Sequence, residues 1–166
     1  MDKRQLQIIV EEALEQLIKN DRYLIEHNVH EQSISSKLGC YLSTKIPSRS
    51  NGGWDVDVEY NRNSEIPKAL HGIGNVRPDI IIHRRGLNNP NGNEENNLLI
   101  IEIKKDPSDE DKAKDIKTIK AFISEPPFYY CFGVFICLDR EIPKNYKDKW
   151  DWSERKAFIS CQNDRK

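Results

Sequence analysis

The chain has 166 residues, and its 27 acidic and 26 basic side chains leave a net charge of −1. That length can bury a core without disulfide or metal staples, and it reads as one domain. The charge balance excludes capture of nucleic acid by the protein's overall field, so such a partner has to be met by a local basic patch.

Leu6, Ile9, Val10, Ala13, Leu14, Leu17 and Ile18 recur at helical spacing and predict an amphipathic helix over about 4–19. Asn20-Asp21 interrupts it, with Asp21 placed to cap a short turn through Tyr23, Leu24 and Ile25. A second helix is expected over about 30–45, with Ile34, Leu38, Tyr41 and Leu42 on its buried stripe. Pro47 and the run from Ser48 to Gly53 end it. Residues 54–62 alternate, with Trp54, Val56, Val58 and Tyr60 set against Asp55, Asp57, Glu59 and Asn61, which predicts a strand with one polar face. Residues 63–76, containing Pro67, Gly72 and Gly74, read as a loop with room for one helical turn. Gly72-Ile73-Gly74 opens no helix and is a turn, not a phosphate loop.

Two β-branched runs follow, Arg77-Pro78-Asp79-Ile80-Ile81-Ile82 and Leu98-Leu99-Ile100-Ile101-Glu102-Ile103-Lys104-Lys105. The Asn- and Gly-rich stretch from Gly86 to Asn97 reads as a hairpin loop, which makes the two runs adjacent antiparallel strands. Asp106-Pro107-Ser108 stops the second strand and opens a helix. Ser108 and Asp111 form its capping box, Ile116, Ile119, Phe122 and Ile123 its buried stripe, and Pro126-Pro127 its end. Phe128 to Leu138 reads as a central strand buried on both faces. The tail from about Arg140, with Trp150, Trp152 and Phe158, reads as a helix or arm packed back on the body, its tryptophans packing rather than stacking on bases.

Cys40, Cys131, Cys137 and Cys161 form no C-x-x-C pair and have no histidine at zinc spacing, so they read as buried, reduced thiols of a cytoplasmic protein. No stretch is long and apolar enough to cross a membrane, and Met1-Asp2-Lys3-Arg4 is followed by no signal-peptide core. His27, His30, His71 and His83 show no metal spacing. His83 shares a strand face with Asp79 and Ile81 and reads as a hydrogen-bonded structural histidine.

Charges stand in the two apolar runs where a core would place another aliphatic residue. Positions i and i+2 of a strand share a face, so Glu102 and Lys104 project together while Ile103 enters the opposite layer. With Asp79 beside them, two carboxylates would hold a divalent cation, Mg²⁺ or Mn²⁺, and the Ile103 carbonyl is placed to supply a third oxygen. Such a cation activates water and polarises a phosphate. Lys104 would orient that water, help deprotonate it, or stabilise the charge building on the phosphate.

Pro78-Asp79 and Glu102-Ile103-Lys104, set in the order helix, strand, strand, strand, helix, strand, resemble the PD-(D/E)xK nuclease superfamily over about residues 30–140. The resemblance implies a restriction-endonuclease-like αβββαβ core with a central mixed sheet flanked by helices, extended by an N-terminal helix and a C-terminal arm. It implies a divalent-metal-dependent nuclease, more readily of DNA than RNA, with Asp79 and Glu102 as metal ligands and Lys104 as the catalytic lysine. Many members carry a glutamate on the helix before the first strand. Glu31 matches that place, and helical spacing puts it on the stripe of Ile34 and Leu38. Glu59, Arg62 and Arg77 are further candidates bordering the cleft, Lys117 and Lys120 are the options for a basic group on the following helix, and Arg77, Arg84, Arg85, Lys104 and Lys105 are expected to form a local basic patch. A homodimer or a partner that brings specificity is expected at the family level. The alternative is an inactive nuclease-fold module that binds nucleic acid or a protein.

Overall fold

The computed structural model describes residues 1–27, 29–63, 66–87, 95–138 and 150–154. The helical period near the start becomes α1 (Lys3–Asn20), which buries Leu6, Val10, Ala13, Leu14 and Leu17 and opens on a capping box between Asp2 and Gln5. A short α2 (Arg22–Glu26) leads into α3 (Glu31–Lys45), which buries Ile34, Leu38 and Leu42. Asp21 does not cap α2 with its side chain; its carboxylate instead accepts the Tyr41 hydroxyl of α3. Cys131 is buried as expected, but Cys40 is exposed, because it lies on the side of α3 away from Leu38 and Leu42.

The expected strand over 54–62 is only β1 (Asp55–Val58). Glu59 takes a left-handed conformation (φ 55°), which ends the alternation. Val56 and Val58 therefore pack with α1 and α3, while Tyr60 packs in the opposite layer. Residues 62–75 are not a simple loop: β2 (Arg62–Asn63) pairs with β3 (Ile66–Pro67), and β4 (Ala69–Leu70) with β5 (Gly74–Asn75), as two small antiparallel ribbons. Their base is fixed by Lys68, which is buried with its ammonium 4.5 Å above the Tyr60 ring and bonded to the Arg62 carbonyl.

β6 (Ile80–His83) and β7 (Asn97–Lys105) are the two charged apolar runs, and they pair antiparallel with Ile80 opposite Ile101. α4 (Asp109–Ser124) begins at the predicted Ser108–Asp111 capping box and connects β7 to β8 (Phe132–Leu138). These two strands are parallel, which requires a crossover element such as α4. Of the tail, only β9 (Trp150–Glu154) is described; it is a strand antiparallel to β8 rather than a helix. The expectations for Phe158, for Cys161 and for the centre of the Gly86–Asn97 hairpin lie outside the described residues.

The result is a mixed α/β fold with a five-stranded sheet in the order β1-β6-β7-β8-β9. Val56, Val58, Ile80, Ile82, Leu99, Ile101, Ile103, Val134 and Ile136 face α1 and α3; Trp152 also packs there. Ile81, Ile100 and Phe135 face α4, with Ile119, Phe122 and Ile123 above them. Among the described residues, no helix is long and apolar enough to cross a membrane.

Candidate active site

Alternation along β7 sends Ile101 and Ile103 into the α1/α3 core and turns Glu102 and Lys104 to the α4 side. Asp79 directly precedes β6, on the same face as Ile81. Its Oδ2 accepts the Ile103 N–H at 2.7 Å, which locks it across the end of the β6–β7 pair. Continued by two residues, the register sets Pro78 opposite Ile103. Proline has no N–H, so it offers the Ile103 carbonyl no ladder bond on that side.

The two sequence-predicted carboxylates converge. The Glu102 carboxyl lies close enough to the Asp79 side chain and backbone N–H for both to bear on its ionisation. Burial, then the charges of Asp79 and Asp115, raise Glu102 well above the ordinary carboxylate range. Asp79 is raised too, by burial above all, against the opposing pull of the Ile103 N–H and Lys104. Two acids in contact that both resist ionisation mark a place where negative charge is crowded.

Lys104 supplies the nearby cation. Its Nζ lies 3.0 Å from Glu31 Oε2, and the other oxygen of Glu31 accepts the Lys105 N–H at 2.9 Å. Glu31 thus reaches round the end of the sheet from the first turn of α3, while Ile34 and Leu38 of that helix stay in the core. Burial alone would lower the Lys104 ammonium, but Glu31, Asp115 and Asp79 together raise it. Lys104 therefore remains charged at neutral pH.

Asp115 of α4 was not anticipated. Its carboxyl is raised by burial, with Lys104 opposing, and its Oδ2 is buried without a hydrogen-bond partner. The spacing of α4 held the signal: Asp115 is one turn before Ile119 and so on its buried side, whereas Lys117 and Lys120 are exposed. Glu59 lies next to Asp79, since its N–H donates to the Asp79 carbonyl at 2.9 Å and its carboxylate pairs with Arg77. Glu59 and Asp106 (φ 48°), two non-glycine residues in the left-handed region, bracket the site; such conformations persist where the surroundings enforce them. Arg62 is exposed on its ribbon.

The expected basic patch does not assemble. Arg84 and Arg85 follow β6 at the end opposite Asp79, about 17–20 Å along a strand that rises ~3.3 Å per residue. Arg84 stacks on Trp54, and Arg85 pairs with Asp57, which also binds His83 Nε2 at 2.7 Å. Lys105 turns its ammonium to the carbonyls of His27 (2.6 Å) and Val29 (3.4 Å).

Asp79, Glu102 and the nearby Asp115 bring only oxygen donors to this face of the sheet, the donor type a hard cation such as Mg²⁺ or Mn²⁺ prefers. Among the described residues, no group of three or more His, Cys, Asp and Glu side chains forms a metal cage on its own. An ion here would therefore rest on the Asp79–Glu102 pair and complete its shell with water or phosphate oxygen. The chain matches no protein-family model, no curated protein and no solved structure.

Proposed function

We propose that the chain is a divalent-metal-dependent nuclease of the PD-(D/E)xK type, with a restriction-endonuclease-like core. The observation that carries this reading is the contact between the Glu102 and Asp79 carboxyls, with Lys104 on the same sheet face. A structural network would pair each buried acid with a base. Here Asp79, Glu102, Asp115 and Glu31 gather about Lys104, with Lys114 also acting on Asp115, and a bound Mg²⁺ or Mn²⁺ would relieve the remaining excess.

When bound, the cation would polarise the scissile phosphate and lower the pKa of a coordinated water. Asp79 and Glu102 would hold it, with the Ile103 carbonyl as the third protein oxygen. Lys104, charged and fixed by Glu31, donates hydrogen bonds to a phosphate oxygen or to the attacking water and offsets negative charge as the phosphorus is attacked. Because its ammonium is raised, it acts as a donor and not as the base. Glu31 keeps it in place through the 3.0 Å bond. DNA is the favoured substrate on the resemblance.

The test is cleavage of supercoiled plasmid, branched DNA and RNA with Mg²⁺, Mn²⁺ or EDTA. Metal-dependent cutting by the wild type, lost in Glu102→Ala and Lys104→Ala while both remain folded, supports the reading. No cutting of any substrate, or variants that cut like the wild type, overturns it; metal-free binding of nucleic acid without cutting would leave the inactive module in its place.

A further inference from the structure

Lys105 stands one residue beyond the candidate catalytic lysine, where a nuclease would be expected to place another phosphate contact. Its bonds point elsewhere. The ammonium grips two backbone carbonyls before α3, His27 at 2.6 Å and Val29 at 3.4 Å. The backbone N–H of the same residue donates to Glu31 Oε1 at 2.9 Å, and Glu31 Oε2 binds Lys104 Nζ at 3.0 Å.

α3 makes this grip consequential. Its N-cap residue is His30, which gives no side-chain cap bond, although serine, threonine, aspartate or asparagine would ordinarily fix a helix start. The buried stripe Ile34, Leu38 and Leu42 sets the helix on the sheet, but Glu31 lies in the first turn, beyond that stripe. The His27 carbonyl also accepts the Val29 N–H at 2.8 Å, and the His27 ring stacks on Tyr23 at 3.8 Å. Lys105 thus holds two residues that are also bonded to each other, and tying them to the end of β7 fixes the position from which Glu31 reaches Lys104.

We infer that Lys105 is a positioning residue: by clamping the His27 and Val29 carbonyls to the end of β7 it sets the Glu31 carboxylate, and through Glu31 the ammonium of Lys104. This rests on the proposed nuclease reading for its kinetic consequence, though not for the clamp. A carboxylate split between one backbone N–H and one lysine has its plane set by the first bond. Loosening the clamp frees that plane and lets Lys104 drift while both side chains remain present. Displacements of about 1 Å at a reacting centre cost up to ~100-fold in rate.

The test compares wild type with Lys105→Met, which keeps the aliphatic stem, and Lys105→Arg, which can still donate to two carbonyls. Three measurements are made: kcat and KM for metal-dependent cleavage, DNA affinity against salt concentration in EDTA, and hydrogen exchange of the backbone amide at position 105 in metal-free protein. Lys105→Met should lower kcat roughly 10- to 100-fold, leave KM and the salt slope unchanged, and speed exchange of the amide; Lys105→Arg should restore most of both. A weaker affinity with a salt slope smaller by about 1 and an unchanged kcat would make Lys105 a phosphate contact and overturn the proposal. Unchanged exchange and unchanged kcat would overturn it as well. If the wild type cuts nothing, the nuclease reading fails alone, and the exchange experiment still decides the clamp.

Discussion

Replacing Glu102 with glutamine is expected to make the metal-free protein more stable and at the same time insensitive to divalent cations. Its carboxyl stands beside that of Asp79, and burial with the charges of Asp79 and Asp115 pushes it well above the ordinary range. Two unit charges about 4 Å apart at an effective dielectric near 20 interact by about 4 kcal/mol. Holding a proton on one of the acids, against its ordinary preference to ionise, is the alternative cost. Glutamine has the shape of the protonated acid, bears neither cost, and can still donate to Asp79. With partial solvent access the gain should be about 2–4 kcal/mol, which raises the melting point by roughly 5–12 °C for a chain of this size.

The pH dependence carries the same sign. A carboxyl raised in the folded state keeps a proton that the unfolded chain has released, so wild-type stability in EDTA should fall as pH rises from about 4 toward neutrality. Glu102→Gln should flatten that fall. Thermal melts by circular dichroism between about pH 4 and 8, in EDTA and in Mg²⁺, measure both effects. At about ten times its dissociation constant, Mg²⁺ should stabilise the wild type by about 1.4 kcal/mol and the variant hardly at all. A variant that melts below wild type in EDTA, or that gains as much from Mg²⁺, would refute charge crowding at this pair.

The Asp57 carboxylate, against the effect of burial, is held at about 2 by His83 and Arg85. That depression should contribute about 2 kcal/mol of stability above pH 4 and lose it as pH falls toward 2; the stability gap between wild type and Asp57→Asn, followed in urea titrations, should close over that window. A Cβ at Gly133 would meet Ile119 Cγ2 at 2.3 Å and Ile123 Cδ1 at 3.1 Å, so Gly133→Ala should push α4 off the sheet at a cost of about 1–3 kcal/mol, read as a lower denaturation midpoint. The buried Tyr130 hydroxyl has no hydrogen-bond partner among the described residues. Tyr130→Phe should therefore be neutral or stabilising by up to about 1 kcal/mol, and a clear loss of stability would argue for a partner.

Local pattern made most of the elements legible. α1, α3 and α4 follow from apolar spacing, and the Ser108–Asp111 capping box from four consecutive residues. Strand alternation correctly placed Glu102 and Lys104 together and Ile103 in the opposite layer. What misled the reading of 54–62 was a single left-handed residue, Glu59, because alternation assumes an unbroken β backbone and nothing in Val58-Glu59-Tyr60 announces a break. The ribbons over 62–75 have strands of two residues, too short for any period to register.

The candidate site divides along the same line. Sequence by itself determined which side chains share an element face, since that depends only on backbone periodicity. It therefore put Glu102 and Lys104 on one face, while Asp79 was singled out by its place at the start of an apolar strand and Glu31 by the family resemblance. Only the tertiary structure decided which charges meet. Asp115 joins the site because α4 crosses that face. Arg84 and Arg85 leave it because β6 carries them to the far end of the sheet, and Lys105 turns its ammonium to the His27 and Val29 carbonyls. A side chain's partner across the fold depends on how layers pack and how far a strand runs before it ends, and those distances are set by the assembled core and not by neighbouring residues in the chain.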